Sequence, residues 1–125
     1  MTVRVEARGV ELFPNPDIWT PTDLRRLGIE GVICGIEVTP DEVIFLTDEG
    51  SSVSVPWQEI SGDAEPRLVL EAKIPTSEDK RKYTVGLKSV TFGVRYQECQ
   101  YSLGRPGDSV RANFPEEASI EFISK

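Results

Sequence analysis

The chain contains no histidine among its 125 residues. This absence excludes Ser-His-Asp triads, histidine general bases and histidine-ligated zinc or haem. Its only two cysteines, Cys34 and Cys99, cannot form a closed zinc site unless carboxylates are recruited. The chain also lacks a glycine-rich phosphate loop, a nucleophile elbow and a cysteine paired with a base. We therefore predict a protein that is not an enzyme and that needs no cofactor or metal.

Long hydrophobic runs are also missing, because no stretch approaches the roughly 18–20 apolar residues of a membrane span. Residues 1–6 alternate polar and apolar side chains and do not resemble a signal peptide. We therefore expect a cytoplasmic location. Cys34 and Cys99 occupy apolar positions of predicted strands, which favours two small core residues over a disulfide, although a disulfide stays open.

The charge is acidic and uneven along the chain. The 14 basic and 21 acidic residues give a net charge of −7. Residues 27–66 hold nine of the acids and no base, whereas residues 67–95 carry a net charge of +4. A long acidic block disfavours nucleic acid and anionic membranes as partners and favours a basic protein. The alternative is that these acids only solvate turns and outer strand faces.

The hydrophobic period is two along most of the chain, which predicts strands. We expect an all-β protein, a small antiparallel barrel or sandwich of about eight strands. The apolar phase slips at Gly9, as at a β-bulge, and residues 43–46 are apolar on both faces, as in a doubly covered strand. A loop is expected at residues 63–66 and a turn or a bulge at 87–89, with a further strand starting at Val90.

One short helix is predicted near residues 21–27. Thr20 is a suitable N-cap, Pro21 stands at the first helical position and Asp23 lies in the first turn. Gly28 is placed to end the helix. We interpret residues 1–125 as a single domain, with an N-terminal strand and helix at 2–28, a β meander at 31–103, and a turn and final strand at 104–125.

Residues 31–92 carry a partial family resemblance. Two strands meet at a short turn in 38–45, a further strand runs into Pro56-Trp57 with Ile60 beyond it, and strands at 67–72 and 83–85 follow. This order resembles the opening meander of the pleckstrin-homology-like superfold, especially GRAM and bacterial PH-like domains. The resemblance implies a binding domain. The first strand–loop–strand carries Glu37, Asp41 and Glu42 where lipid-binding members have bases, so it does not imply a phosphoinositide reader.

Our first functional hypothesis is a protein-binding module, such as an inhibitor, adaptor or immunity-type protein, with an acidic edge that binds a basic partner. Tryptophans near loops are good interface anchors, although both could instead cap the core. The candidate partner-binding residues are Glu37, Asp41, Glu42, Asp48, Glu49, Trp19 and Trp57.

Two alternatives remain open at this point. A small ligand could bind in the mouth of a barrel, with polar contacts from Tyr83, Arg95, Tyr96 and Tyr101. The chain could instead be a subunit of a larger assembly that pairs through edge strands, at residues 2–13 or 118–123.

Overall fold

The computed structural model describes residues 2–60, 66–88 and 91–125, with Lys88 described by its backbone alone. The predicted loop at 63–65 and the predicted turn and strand start at Ser89 and Val90 lie outside the described residues.

The described residues form mostly strands, with short helical turns between them. The α-helices are α1 (Pro21–Arg26) and α2 (Trp57–Ile60), and a single 3₁₀ turn spans Pro115–Glu117. The strands are β1 (Val3–Arg8), β2 (Glu11–Pro14), β3 (Ile33–Val38), β4 (Glu42–Thr47), β5 (Ser52–Pro56), β6 (Arg67–Lys73), β7 (Lys80–Lys88), β8 (Thr91–Tyr96), β9 (Cys99–Leu103), β10 (Ser109–Asn113) and β11 (Ser119–Ser124).

Nine strands follow one another around a nearly closed antiparallel barrel, in the order β10-β11-β1-β3-β2-β6-β7-β8-β9. The first and last strands of this order, β10 and β9, touch, but their described residues form no hydrogen-bonded ladder with each other. We call this junction the seam. The pair β4–β5 branches from β3 as a hairpin. The predicted all-β, antiparallel barrel is therefore confirmed.

At Gly9 the alternation of buried and exposed residues changes parity, and the chain bends there between β1 and β2. The two strands therefore pair with different neighbours in the barrel. On the β1 side, Val3 and Val5 are buried; beyond the glycine, Val10 and Leu12 are buried with the opposite parity. Gly9 has φ +67°, a backbone conformation that suits glycine. As a result β1 pairs with β11 and β3, whereas β2 pairs with β3 and β6.

The predicted helix is present as α1, and its start signals act as expected. The Thr20 hydroxyl accepts a hydrogen bond from the Asp23 backbone N–H at 3.3 Å, and the Asp23 carboxylate accepts one from the Thr20 backbone N–H at 2.8 Å. This reciprocal capping box satisfies two amides that the first turn would leave unpaired. Gly28 follows the helix with φ +88°. None of the described residues of α1 is buried.

The prediction that both cysteines lie in the core is wrong, because both are exposed and unpaired. In β3 the pairing register with β4 shifts between Ile33 and Gly35, so the bulge turns Cys34 outward while Ile33 and Ile36 stay buried. Cys99 belongs to β9, the outermost strand of the barrel order, in which only Leu103 is buried. The alternation of buried and exposed strand residues predicted that both cysteines point inward. The bulge changes this alternation at Cys34, and the position of β9 at the end of the strand order leaves Cys99 exposed.

The structure also differs from the sequence predictions at strands β4 and β10. Strand β4 is not doubly covered, because Val43 and Phe45 are buried while Ile44 and Leu46 are only half-buried. Strand β10 was not predicted, because its apolar residues Val110 and Ala112 are few and half-buried.

The two segments expected to offer free edges differ in how far they are paired. Residues 119–123 of β11 pair with both β1 and β10. In 2–13, residues 3–6 and Leu12 pair on both sides, whereas the rest of the segment has a described strand partner on at most one side. Among the described strands, the edges belong to β5, β9 and β10.

The interior is aliphatic and aromatic, and Trp57 closes one end of it. Only 6% of Trp57 is exposed, and its indole N–H donates a 2.6 Å hydrogen bond to the Thr39 carbonyl. This bond ties α2 to the turn between β3 and β4. The alternation through residue 57 predicted a continuing strand, but the chain instead turns into α2 at this tryptophan.

We expect Trp57→Phe to lower the free energy of unfolding by about 1 kcal/mol, because it keeps an aromatic ring in place and removes this hydrogen bond. Urea denaturation with an unchanged m-value would show that the compactness of the folded and unfolded states is preserved. A variant as stable as the wild type would contradict the structural role given to the indole N–H.

Candidate functional site

The predicted acidic residues do not form one cluster. Asp41 and Glu42 lie at the turn between β3 and β4, whereas Asp48 and Glu49 lie at the turn between β4 and β5. Since an extended strand rises about 3.3 Å per residue, Asp41 and Asp48 are separated by roughly 23 Å. The structure therefore divides the acidic edge into two acidic turns, one at each end of the β4–β5 hairpin.

Two of the predicted acids already have partners inside the protein. Glu37 lies opposite Arg4 in the β1–β3 ladder and accepts a 3.0 Å charged hydrogen bond from its guanidinium. The Asp48 carboxylate accepts a 3.0 Å hydrogen bond from the Val32 backbone N–H. Glu37 is thus partly neutralised, and Asp48 fixes the chain where it enters β3.

Strand β5 runs alongside β4 between the two acidic turns and has a free edge. The Thr47 N–H donates to the Ser51 carbonyl at 3.0 Å, in the same register that pairs Phe45 with Val53 and Val43 with Val55. Because antiparallel hydrogen bonds alternate along a strand, Val53 and Val55 then direct their backbone groups toward β4. The intervening residues face the other way, where no described strand pairs with β5; these are Ser52, Ser54 and Pro56.

Sequence reasoning missed this free edge, although one signal for it was present. Pro56 has no backbone N–H, and proline in a strand is confined largely to edges, first positions and bulges. In β5 the proline faces the unpaired side, at the end of the strand. Ser52 and Ser54 also project to solvent, which suits an outer strand.

The two tryptophans have different environments. Trp57 lies in the core, so its position gives no support to a role as a partner contact. Trp19 is half-buried, and its ring meets Phe45 edge to face, with centroids 6.4 Å apart and planes at 66°. Its neighbour Ile18 is 72% exposed. Trp19 therefore covers the barrel end above Phe45, and Ile18 is the apolar residue presented to solvent there.

The three tyrosines proposed for a ligand site do come together, beside the seam. Tyr83 and Tyr96 are cross-strand partners, and their rings stack with centroids 4.9 Å apart. Tyr101 lies opposite Val94 in the β8–β9 ladder and lines the same small cavity as both other tyrosines. Arg95 does not join them, because strand residues alternate between faces and Arg95 projects outward beside Tyr96.

The Tyr83 hydroxyl is buried and lacks a hydrogen-bond partner of acceptable geometry among the described residues. Burial raises the pKa of Tyr83 to about 12. The nearby Arg81 guanidinium opposes part of this rise in pKa, but it lies over the Phe114 ring and donates to the Asn113 carbonyl at 3.0 Å. Tyr83 is thus a neutral phenol near neutral pH, beside the Arg81 guanidinium.

Within residues 2–60, 66–88 and 91–125, no group of three or more cysteine, aspartate or glutamate side chains is placed to hold a metal ion. None of the helices in the same ranges is long and apolar enough to cross a membrane.

Comparison with known proteins gives no relative: no family model, no curated protein and no solved structure matches the chain.

We expect Asp48→Ala to destabilise the fold by about 1 kcal/mol, because it removes the acceptor for the Val32 N–H. Asp41→Ala is the matched control, since Asp41 is exposed at the other acidic turn and no described residue donates a hydrogen bond to its carboxylate. Thermal or urea unfolding of the two variants would measure the difference. Equal stability of both variants would contradict a structural role for Asp48.

We expect the tyrosinate absorbance of Tyr83 to rise at about pH 12, seen as the difference between titrations of the wild type and Tyr83→Phe. The folded-state pKa lies above the ordinary value of 10.0, so Tyr83 supports stability fully below pH 10. That contribution is lost as pH rises through the folded pKa. A difference curve centred at pH 10 in the folded protein would contradict the burial of the hydroxyl.

Proposed function

We propose that this protein is a non-enzymatic protein-binding module and that a basic, extended segment of its partner adds to the free edge of β5. The observation that carries the proposal is the position of this edge between two acidic turns. Residues 29–60, which contain the β3–β4–β5 meander, hold seven acidic residues and no basic residue. An inhibitor, an adaptor and an immunity-type protein all fit such a module.

The backbone of β5 supports this mode of binding. Ser52 and Ser54 direct an N–H and a carbonyl each to the open side, and Pro56 adds a carbonyl there. An added strand obtains its affinity from such main-chain hydrogen bonds and its specificity from alternate side chains. The proline and the short length of β5 limit uncontrolled pairing, as expected of a protected natural edge.

The charges support a basic partner. Asp41 and Glu42 flank one end of β5, and Asp48 and Glu49 flank the other, so positive side chains at both ends of an added strand would meet carboxylates. Exposed charges of this kind raise the association rate more than they lengthen the lifetime of the complex. The same field disfavours nucleic acid and anionic membranes.

The proposal also includes the PH-like relationship and the cytoplasmic location that the sequence predicts. The PH-like relationship is supported by the β3–β4–β5 meander, whereas residues 91–125 form strands where that family places a C-terminal helix. A cytoplasmic location is supported by the exposed, unpaired Cys34 and Cys99, which suit a reducing compartment.

The test compares Ser54→Pro with Ser54→Ala as immobilised baits in lysate from cells that make the protein. Ser54→Pro removes an N–H directed at the open side and leaves the bonds to β4 in place, while Ser54→Ala keeps that N–H. We expect a basic protein that the wild type and Ser54→Ala retain and Ser54→Pro loses. Purified, this protein should bind Ser54→Pro about two- to tenfold more weakly, the range of one net hydrogen bond.

Charge reversal supplies the second arm of the test. Asp41→Lys/Glu42→Lys should slow association with this partner about tenfold or more at low salt and flatten its salt dependence. Glu78→Lys/Glu98→Lys changes the net charge equally at exposed positions away from β5 and should have a smaller effect. Absence of a basic partner, equal retention by Ser54→Pro, or equal slowing by both reversals would each overturn the proposal.

A further inference from the structure

The outer face of strands β6 to β9 contains an open cavity of about 260 Å³. Leu68 and Val85 are buried, as are Phe92 and Val94, so the residues beside them in these strands face outward. The outward polar residues that line the cavity include Arg67, Thr84, Arg95, Gln100 and Ser102. This cavity lies on strands other than β4 and β5, and it has no part in the protein-binding function proposed above.

The strand register arranges two arginines around a pair of glycines. Gly86 lies directly opposite Gly93 in the β7–β8 ladder, and both glycines line the cavity. Arg67 lies opposite Gly86, and Arg95 lies two residues beyond Gly93 along β8. Since neighbouring strands are about 4.8 Å apart and residues rise about 3.3 Å along a strand, the two arginine Cα atoms are roughly 12 Å apart. The arginines therefore border the space over the glycine pair from β6 and from β8.

Neither the backbone conformation nor crowding requires glycine at these two positions. Neither glycine has a positive φ. A Cβ added at Gly93 would lie 3.5 Å from its nearest described neighbours, the Gln100 Nε2 and the Tyr101 carbonyl oxygen, and a Cβ added at Gly86 would lie 3.9 Å from the Pro66 carbonyl oxygen. Glycine weakens the interior of a strand and often marks a place where a ligand approaches the backbone. The glycine pair thus keeps open a space that two side chains would otherwise fill.

The side chains at the cavity favour an anionic occupant. Two of the described lining residues are arginines and none is acidic. In the part of the chain that the structure describes, the Arg95 guanidinium makes no hydrogen bond or ion pair. A guanidinium group donates paired hydrogen bonds that match the oxygens of a phosphate or a carboxylate. The hydroxyl groups of Thr84 and Ser102 and the Gln100 amide supply further donors.

The surrounding charges are consistent with this preference. Residues 67–95 carry a net charge of +4, although the whole chain is acidic. Glu71, an outward acid of β6, forms an ion pair with Lys80 at 3.9 Å. Glu98, in the turn between β8 and β9, is exposed and does not line the cavity. An anion at the glycine pair would therefore meet positive charge.

We propose that this cavity binds a small molecule with one or two phosphate groups, held by Arg95 over the glycine pair with Arg67 at the opposite side. A phosphate group offers more acceptor oxygens than a carboxylate, which suits a site with several donors. A water molecule takes up about 30 Å³ in the liquid, so the cavity corresponds to roughly eight or nine waters. This space suits an ion of the size of pyrophosphate.

The test titrates pyrophosphate into the folded protein at neutral pH and constant ionic strength, without divalent metal ions. Backbone amide chemical shifts report the binding. We expect saturable shifts centred on Gly86 and Gly93 and confined to strands β6 to β9. Malonate, a small dicarboxylate, should bind about two- to tenfold more weakly, because it offers fewer acceptor oxygens.

A pair of charge variants assigns the binding to Arg95. We expect Arg95→Gln to weaken the binding of pyrophosphate about tenfold, the lower end of the range for a hydrogen bond to a charged group, because Arg95 is exposed. Arg105→Gln is the matched control. It changes the net charge equally at an exposed position that does not line the cavity, and it should have a smaller effect.

A second kind of variant fills the cavity. Gly93→Val should fold with at least the stability of the wild type, because a Cβ fits there and β-branched residues favour strands. Its side chain would occupy the space over the glycine pair, so the saturable shifts with pyrophosphate should disappear. Gly86→Val repeats this test from the opposite strand if Gly93→Val does not fold.

Four results would overturn the proposal. The first is the absence of saturable shifts at β6 to β9 with pyrophosphate, and the second is an affinity for malonate that equals or exceeds that for pyrophosphate. The third is equal binding by Arg95→Gln and Arg105→Gln. The fourth is an unchanged affinity in folded Gly93→Val or Gly86→Val. None of these results bears on the β5 edge, so this proposal and the proposed protein-binding function fail separately.

Discussion

The sharp bend at Gly9 is the constraint on which the barrel depends. Because β1 continues into β2 through this bend, a single stretch of chain borders β11 and β3 first, and then β3 and β6. An added Cβ at Gly9 would lie 3.4 Å from the Ala118 Cβ, so the bend is close enough to the chain that leads into β11 for van der Waals contact.

Features that depend on residues close together in the chain were predictable from the sequence. The slip at Gly9 could be read from a change of parity, and the α1 start could be read from Thr20, Pro21 and Asp23, because both signals lie within a few residues. Cys34 and Cys99 could not be placed correctly. The first depends on a bulge set by pairing with β4, and the second on the position of β9 in the barrel; both are properties of partners distant in sequence.

The candidate site residues also divide into those that the sequence grouped correctly and those that it did not. Tyr83, Tyr96 and Tyr101 were proposed together with Arg95; the structure brings the three tyrosines together, and the alternation of strand residues explains why Arg95 projects elsewhere. The acids were adjacent in the sequence pattern, yet the length of β4 separates the two turns. The free side of β5 was missed although Pro56 signals an edge, because a free edge also depends on which strands lie beside β5, and the sequence does not show this.

The pairing of β1 with β11 also has a consequence for folding kinetics. Val3 lies opposite Ser124, and β1 has its second neighbour in β3, so the first strand of the barrel joins segments from both ends of the described chain. Contacts between residues so distant in sequence incur a large loop-closure entropy and slow the folding of all-β proteins. During synthesis, β1 can pair with β3 early, but its other edge stays uncovered until residues 119–124 have been made. Until then this uncovered edge is open to pairing with other chains.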